Sequence, residues 1–173
     1  MCNTDNRSII VSSETPDWGR EYKSFFTWVP SRSLLASIRQ YQRSVKSSNV
    51  INRTVFKSIA VLRYRFWSII TGAEIPLNCC IGGGLLIPHP NGIVIAPDVI
   101  IGPNCLIFQQ VTIGARSESG VPEIGGHVDI GAGARILGKV KLGDHACIGA
   151  NAVVIHDVPA GKTAVGIPAK ILN

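Results

Sequence analysis

No two cysteines in this chain are spaced as C-x-x-C, and the five present, Cys2, Cys79, Cys80, Cys105 and Cys147, are odd in number. That argues against a disulfide framework and against a thiolate zinc site. The start, MCNTDNRSII, lacks the basic and then apolar layout of a secretory signal, and no uninterrupted apolar run reaches the ~20 residues of a membrane span. The default expectation is the cytoplasm. Acidic residues are scarce at one end: residues 1 to 73 hold 11 Lys and Arg against 4 Asp and Glu, a balance of +7, whereas residues 74 to 173 hold 6 against 7, a balance of −1. The basic segment suits an anionic ligand or an acidic membrane surface. Neither a nucleic-acid-binding motif nor an aromatic platform accompanies it, which argues against a nucleic-acid partner.

What is abundant is a period of six. Aliphatic residues or alanine recur at Ile124, Ile130, Ile136, Leu142, Ile148, Val154 and Ala160. Four residues after each comes a second small apolar residue: Val128, Ala134, Val140, Ala146, Ala152, Val158 and Ala164. Neither a helix nor a single strand has this period, so the expectation is a solenoid with both sets turned inward. The pattern resembles the hexapeptide repeat of acyltransferases. That resemblance implies a mainly β fold, a left-handed parallel β-helix in which three hexapeptides close one coil and residues 18 apart stack about 4.8 Å from each other.

Residues 74 to 173 form the expected β-helix domain, and residues 1 to 73 a basic α-helical segment. A helix is expected from Pro30-Ser31 onward and is broken at Ser47-Ser48-Asn49. A second, amphipathic helix runs from Asn52 to Ile70, with Val55, Ile59, Leu62, Phe66 and Ile70 at three- and four-residue spacing. Residues 1 to about 16 read as loose. Trp18, Phe25, Phe26 and Trp28 read as core or interface fillers.

Upstream, the repeats start at Ile75, Ile81, Ile87, Ile95, Ile101, Ile107 and Ile113. The step from Ile87 to Ile95 is two residues too long, around Pro88-His89-Pro90-Asn91-Gly92. The step to Ile124 is five too long, within 115 to 123. Insertions in a rigid repeat are where function usually sits. Counted from the repeat starts, His89, Gln109, Ala132 and Ala150 share one phase, a column of roughly 14 Å. A pantetheine arm has about that reach, and its thioester would then lie at His89.

Residues 86 to 95, LIPHPNGIVI, resemble the catalytic segment of serine acetyltransferases and related sugar and polysaccharide O-acetyltransferases. So do Gln109 to Gly114, Ile130 to Gly138, and the ending Val165-Gly166-Ile167-Pro168-Ala169-Lys170. The resemblance covers about residues 60 to 173. It implies an acetyl-CoA-dependent O-acetyltransferase in which His89 is the general base, and imidazole suits that role because its pKa lies near operating pH. It also implies that Glu74 stands where the family keeps an orienting carboxylate, with a solvated surface glutamate as the alternative. Acetyl-CoA contacts fall on Gln109, Gly114, Ala132, Ala150, His156, Lys162 and Lys170, and acceptor contacts on Asn91, Gly120 and Val121. A homotrimer is implied as well.

Serine acetyltransferases usually carry Asp before the histidine and an Arg-His pair in the inserted loop. Here those positions read Pro88 and Gly120-Val121. The expected acceptor is therefore a neutral saccharide hydroxyl on a polysaccharide precursor or a nucleotide- or lipid-linked sugar, and the basic helical segment suits an anionic carrier or a membrane-bound acceptor. Serine is the second reading, and a non-catalytic scaffold the third. A zinc site of carbonic-anhydrase type is not expected. His127 and His145 stack on adjacent coils but point outward, away from His89.

Overall fold

A computed structural model describes residues 11–24, 27–46, 48–116 and 120–172. Cys2, Phe25, Phe26 and the 117–119 stretch of the inserted loop lie outside them. Two helices, α1 (Pro30–Val45) and α2 (Val50–Thr71), precede a stack of very short strands. These form three parallel faces, a left-handed parallel β-helix as the period requires.

The first face pairs 94–95, 112–114, 135–137 and 153–154. The second pairs 80–81, 100–101, 123–124 and 141–142. The third pairs 106–107, 129–130, 147–148 and 163–165, and strand 170–171 folds back on it antiparallel. Within each parallel strand the second residue points inward, which is why Ile95, Ile113, Ile136 and Val154 stack in one wall of the core. The second apolar set, Val128 through Ala164, is buried throughout. Burial of so many aliphatic side chains, at about 25 cal/mol per Å2, supplies most of the driving force.

The last coil departs from the six-residue rhythm. Ala160 is exposed, and Val158 pairs with Leu142 in its place. From Val154 the chain reaches the second face in four residues, at Val158, where the step from Ile136 to Leu142 takes six.

The N-terminal stretch, expected to be loose, is pinned from residue 12 onward. Fully buried Asn104 accepts from the Asp17 amide (2.8 Å) and donates to the carbonyls of Ser12 (2.7 Å) and Thr15 (2.8 Å). The Ser13 carbonyl lies so close to Gly126 that a side chain there would displace it. Trp18 and Trp28 are not core residues: both are more than half exposed, Trp18 under the Arg39 guanidinium and Trp28 against the ring of Trp67.

Arg39, on the buried side of α1, forms the main clamp between the helices and the coil. It pairs with Glu21 at 2.8 Å and donates to the carbonyls of Ile81 and Gly82, each at 2.6 Å. Glu21 in turn accepts from the Leu85 amide.

Candidate functional site

The two extra residues after Ile87 lift a loop out of the ladder, and the loop is anchored on both sides. The Gly92 amide donates to the carbonyl of Gly72, the residue that ends α2 in a left-handed conformation (φ 62°). Asn91 lies against Gly72, its carbonyl accepts from the Gln110 amide (2.9 Å), and its side-chain oxygen accepts from the Gln110 side-chain amide (2.9 Å). Pro88 and Pro90 restrict the backbone on either side of His89. The result is a rigid loop that carries an exposed imidazole.

The ladder corrects the expected column. The Gln109 carbonyl accepts from Gly133 and the Ala132 carbonyl from Asn151, in the same relation in which the Asn91 carbonyl accepts from Gln110. Asn91, Gln109, Ala132 and Ala150 are therefore in line, and His89 projects beside the head of the column. Counting one coil of 18 residues upward from Gln109 gives Asn91, whereas counting downward from Ile87 ignores the insertion. Down the column Gln109 and Ala132 are half-buried and Ala150 is exposed. The side-chain oxygen of Gln109 is buried without a hydrogen-bond partner among the described residues. Such an orphaned acceptor suits an incoming amide N–H.

Glu74 is exposed, and its backbone sets the base of the loop: its amide donates to Ile93 and its carbonyl accepts from Ile95. Among the described residues no hydrogen bond joins its carboxylate to His89. The carboxylate instead acts on Tyr64 of α2. Burial raises that phenol above its ordinary value and the charge of Glu74 raises it further, against a lowering by Ser68.

Gly114 lies on the first face, where it pairs with Leu137, and so stands outside the column. Gly120 (φ 101°) lies over Lys139, and Val121 is packed against the core. His156 and Lys162 are exposed in the turns of the last coil, and exposed Lys170 begins the antiparallel strand at that same end. Along the third face Lys162 is thus about four strand spacings from the coil that carries His89. His127 and His145 do meet, Nδ1 to Nδ1 at 2.9 Å, away from the loop. Among the described residues no group of three or more His, Cys, Asp or Glu is arranged to hold a metal ion.

Cys79 and Cys105 are not poised for nucleophilic chemistry. Burial pushes the thiols of Cys79 and Cys105 up to about 11, far from the thiolate form a nucleophile needs.

No family model matches the chain. The serine acetyltransferase of Helicobacter pylori is 39% identical over 129 residues, which cover 73% of this chain and 75% of that protein. The serine acetyltransferase of Synechococcus elongatus is 41% identical over 107 residues, 60% of this chain and 44% of that protein. The chain thus spans less than half the length of several curated relatives it matches. Among solved structures, a serine acetyltransferase in complex with CoA is 32% identical with a TM-score of 0.70, covering 84% of this chain and 58% of that one. Soybean serine acetyltransferase complexed with serine is also 32% identical, with a TM-score of 0.66, covering 83% of this chain and 56% of that one.

Proposed function

The chain belongs to the serine acetyltransferase family, and from that premise we propose that it moves an acetyl group from acetyl-CoA to an acceptor hydroxyl, with serine as the acceptor its relatives' names point to. One observation carries the reading: an exposed imidazole on a loop held by Gly72 and Gln110, at the head of a column that narrows to alanine. The His89 imidazole removes the acceptor proton while the oxygen attacks the thioester carbonyl. The new C–O bond forms, the C–S bond breaks, and the proton passes to the departing CoA thiolate. A ternary complex suffices, and no acyl-enzyme is needed.

The pantetheine arm lies along Gln109, Ala132 and Ala150. The Gln109 side-chain oxygen accepts from one of its amides, and Lys162 and Lys170 face the phosphates. Exposed cations at that end suit a phosphate partner. Glu74 pairs with Val94 at the base of the loop, and its carboxylate orients the imidazole when the acceptor is bound. On the same premise the chain works as a cytoplasmic homotrimer.

A second reading has its own support. Pro88 beside His89, and Gly120 and Val121 across the inserted loop, bring no charge to an amino-acid carboxylate or ammonium. A saccharide hydroxyl fits those positions better.

Release of CoA thiol, followed with serine and with a panel of sugars, separates the readings. Turnover on serine selects the first and turnover on a sugar alone selects the second. No turnover on any acceptor removes both and leaves a scaffold. His89→Ala is expected to lower kcat by roughly 10²–10⁴-fold without changing the CoA affinity. A nearly normal rate would remove the general-base role.

A further inference from the structure

The outward side of α2 is apolar where a surface helix should be polar. Taken at about 100° per residue, Ala60, Tyr64 and Thr71 share the side that faces the coil. Between Arg53 and Thr71, the opposite arc of about 100° holds only Val55, Ile59, Leu62, Phe66, Ile69 and Ile70. All six are exposed, Leu62 at 67% and Ile69 at 81%. Single exposed aliphatics need no explanation, but a contiguous stripe along a 22-residue helix marks a contact surface.

The charges identify what the stripe meets. Arg63 and Arg65 are exposed on its two flanks, Arg53 and Lys57 lie on the other side of the helix, Lys57 over the ring of Tyr41 in α1, and α2 contains no Asp or Glu. A second copy of α2 would bring the same cations against these and offer no carboxylate to pair them. An anionic phospholipid surface complements both features: the apolar arc enters the acyl boundary while the arginines stay at the phosphates. Among the described residues no helix is long and apolar enough to cross a membrane, so the contact lies in the interface plane.

We propose that α2 is an interfacial membrane-docking helix for anionic lipid. Its last residues lead directly into Gly72, whose carbonyl holds Gly92, so docking sets the His89 loop at the bilayer surface. The inference stands whichever acceptor is used, and its test does not read acetyl transfer.

The full chain is sedimented with sucrose-loaded vesicles of equimolar phosphatidylcholine and phosphatidylglycerol, and with vesicles of phosphatidylcholine alone. The expected result is binding to the anionic vesicles, at least ~10-fold weaker on phosphatidylcholine. Leu62→Ser combined with Phe66→Ser, and separately Arg63→Glu combined with Arg65→Glu, should each lower it by a similar factor. Because these positions are exposed, circular dichroism of the variants should match the wild type. Equal sedimentation of all three proteins would overturn the proposal. So would absence of vesicle binding together with a smaller assembly, by light scattering, in the Leu62 and Phe66 variant, since the stripe would then be covered by another copy of the chain.

Discussion

In the coiled region the repeat turns its aliphatic positions inward, whereas α2 carries apolar side chains toward the coil and away from it alike. The two regions are accordingly stabilised in different ways. The coil spreads its stability over many equivalent aliphatic layers, each supported by the layer above and the layer below. The segment before it is fastened by a few polar groups with many bonds each, Arg39 with Glu21 and Asn104. A lost methyl group in the coil is shared among neighbours, but a lost clamp has no substitute.

The strongest test of that contrast is Arg39→Ala. It leaves Glu21 a carboxylate in a buried site and the carbonyls of Ile81 and Gly82 without a donor, a loss of about 3–5 kcal/mol for breaking a buried pair. Trp18, Trp28 and Trp67 all precede the coil. Tryptophan fluorescence in urea therefore follows the helical segment, and circular dichroism follows the whole. The fluorescence midpoint should fall well before the dichroism midpoint in the variant. If both midpoints stay where they are in the wild type, the clamp is not what joins the two regions.

The same contrast sets what the sequence could reveal. The coil repeats one local rule, so Ile136 or Val154 can be assigned to the interior from spacing alone, and the two insertions stand out as failures of the rule. Ala160 fits the period yet carries too little apolar surface to enforce it, and Val158 takes the position. Spacing also sets His89 in line with Gln109, whereas the ladder puts Asn91 there. A bulge does not conserve phase, and only the coil below it reports the register. The clamps were illegible. Nothing local in Arg39 or Asn104 announces partners 18 to 92 residues distant.

A smaller effect is expected from the strap over the coil corner. Asn104→Ala removes one acceptor and two donor bonds to the Ser12–Asp17 backbone and places alanine at φ 60°, at a cost of about 2–4 kcal/mol. Asn104→Gly relieves the backbone part and should recover about 1 kcal/mol of it. Protease cleavage within residues 11 to 17 would rise in both variants. Equal stability of the two would mean that the left-handed conformation contributes nothing at this corner.

The smallest effect lies inside the coil and depends on pH. Cys105 is fully buried, and its thiol donates to the Gly125 carbonyl at 3.2 Å. Burial is the main reason its folded pKa is raised from 9.0 to about 11, with opposing backbone and Arg20 contributions. For an acid whose neutral form is favoured in the fold, the unfolded chain loses its proton first. The stability is therefore complete below the unfolded value of 9.0 and is lost as pH rises toward the folded value of about 11. The loss amounts to about 2 kcal/mol. Cys105→Ala removes this titration along with some packing. Its stability deficit relative to the wild type, measured in urea, should thus be largest near neutrality and shrink by about that amount toward pH ~11. A deficit that stays constant with pH would mean that the interior of the coil tolerates a thiolate, and the assignment of Cys105 to a dry layer would fail.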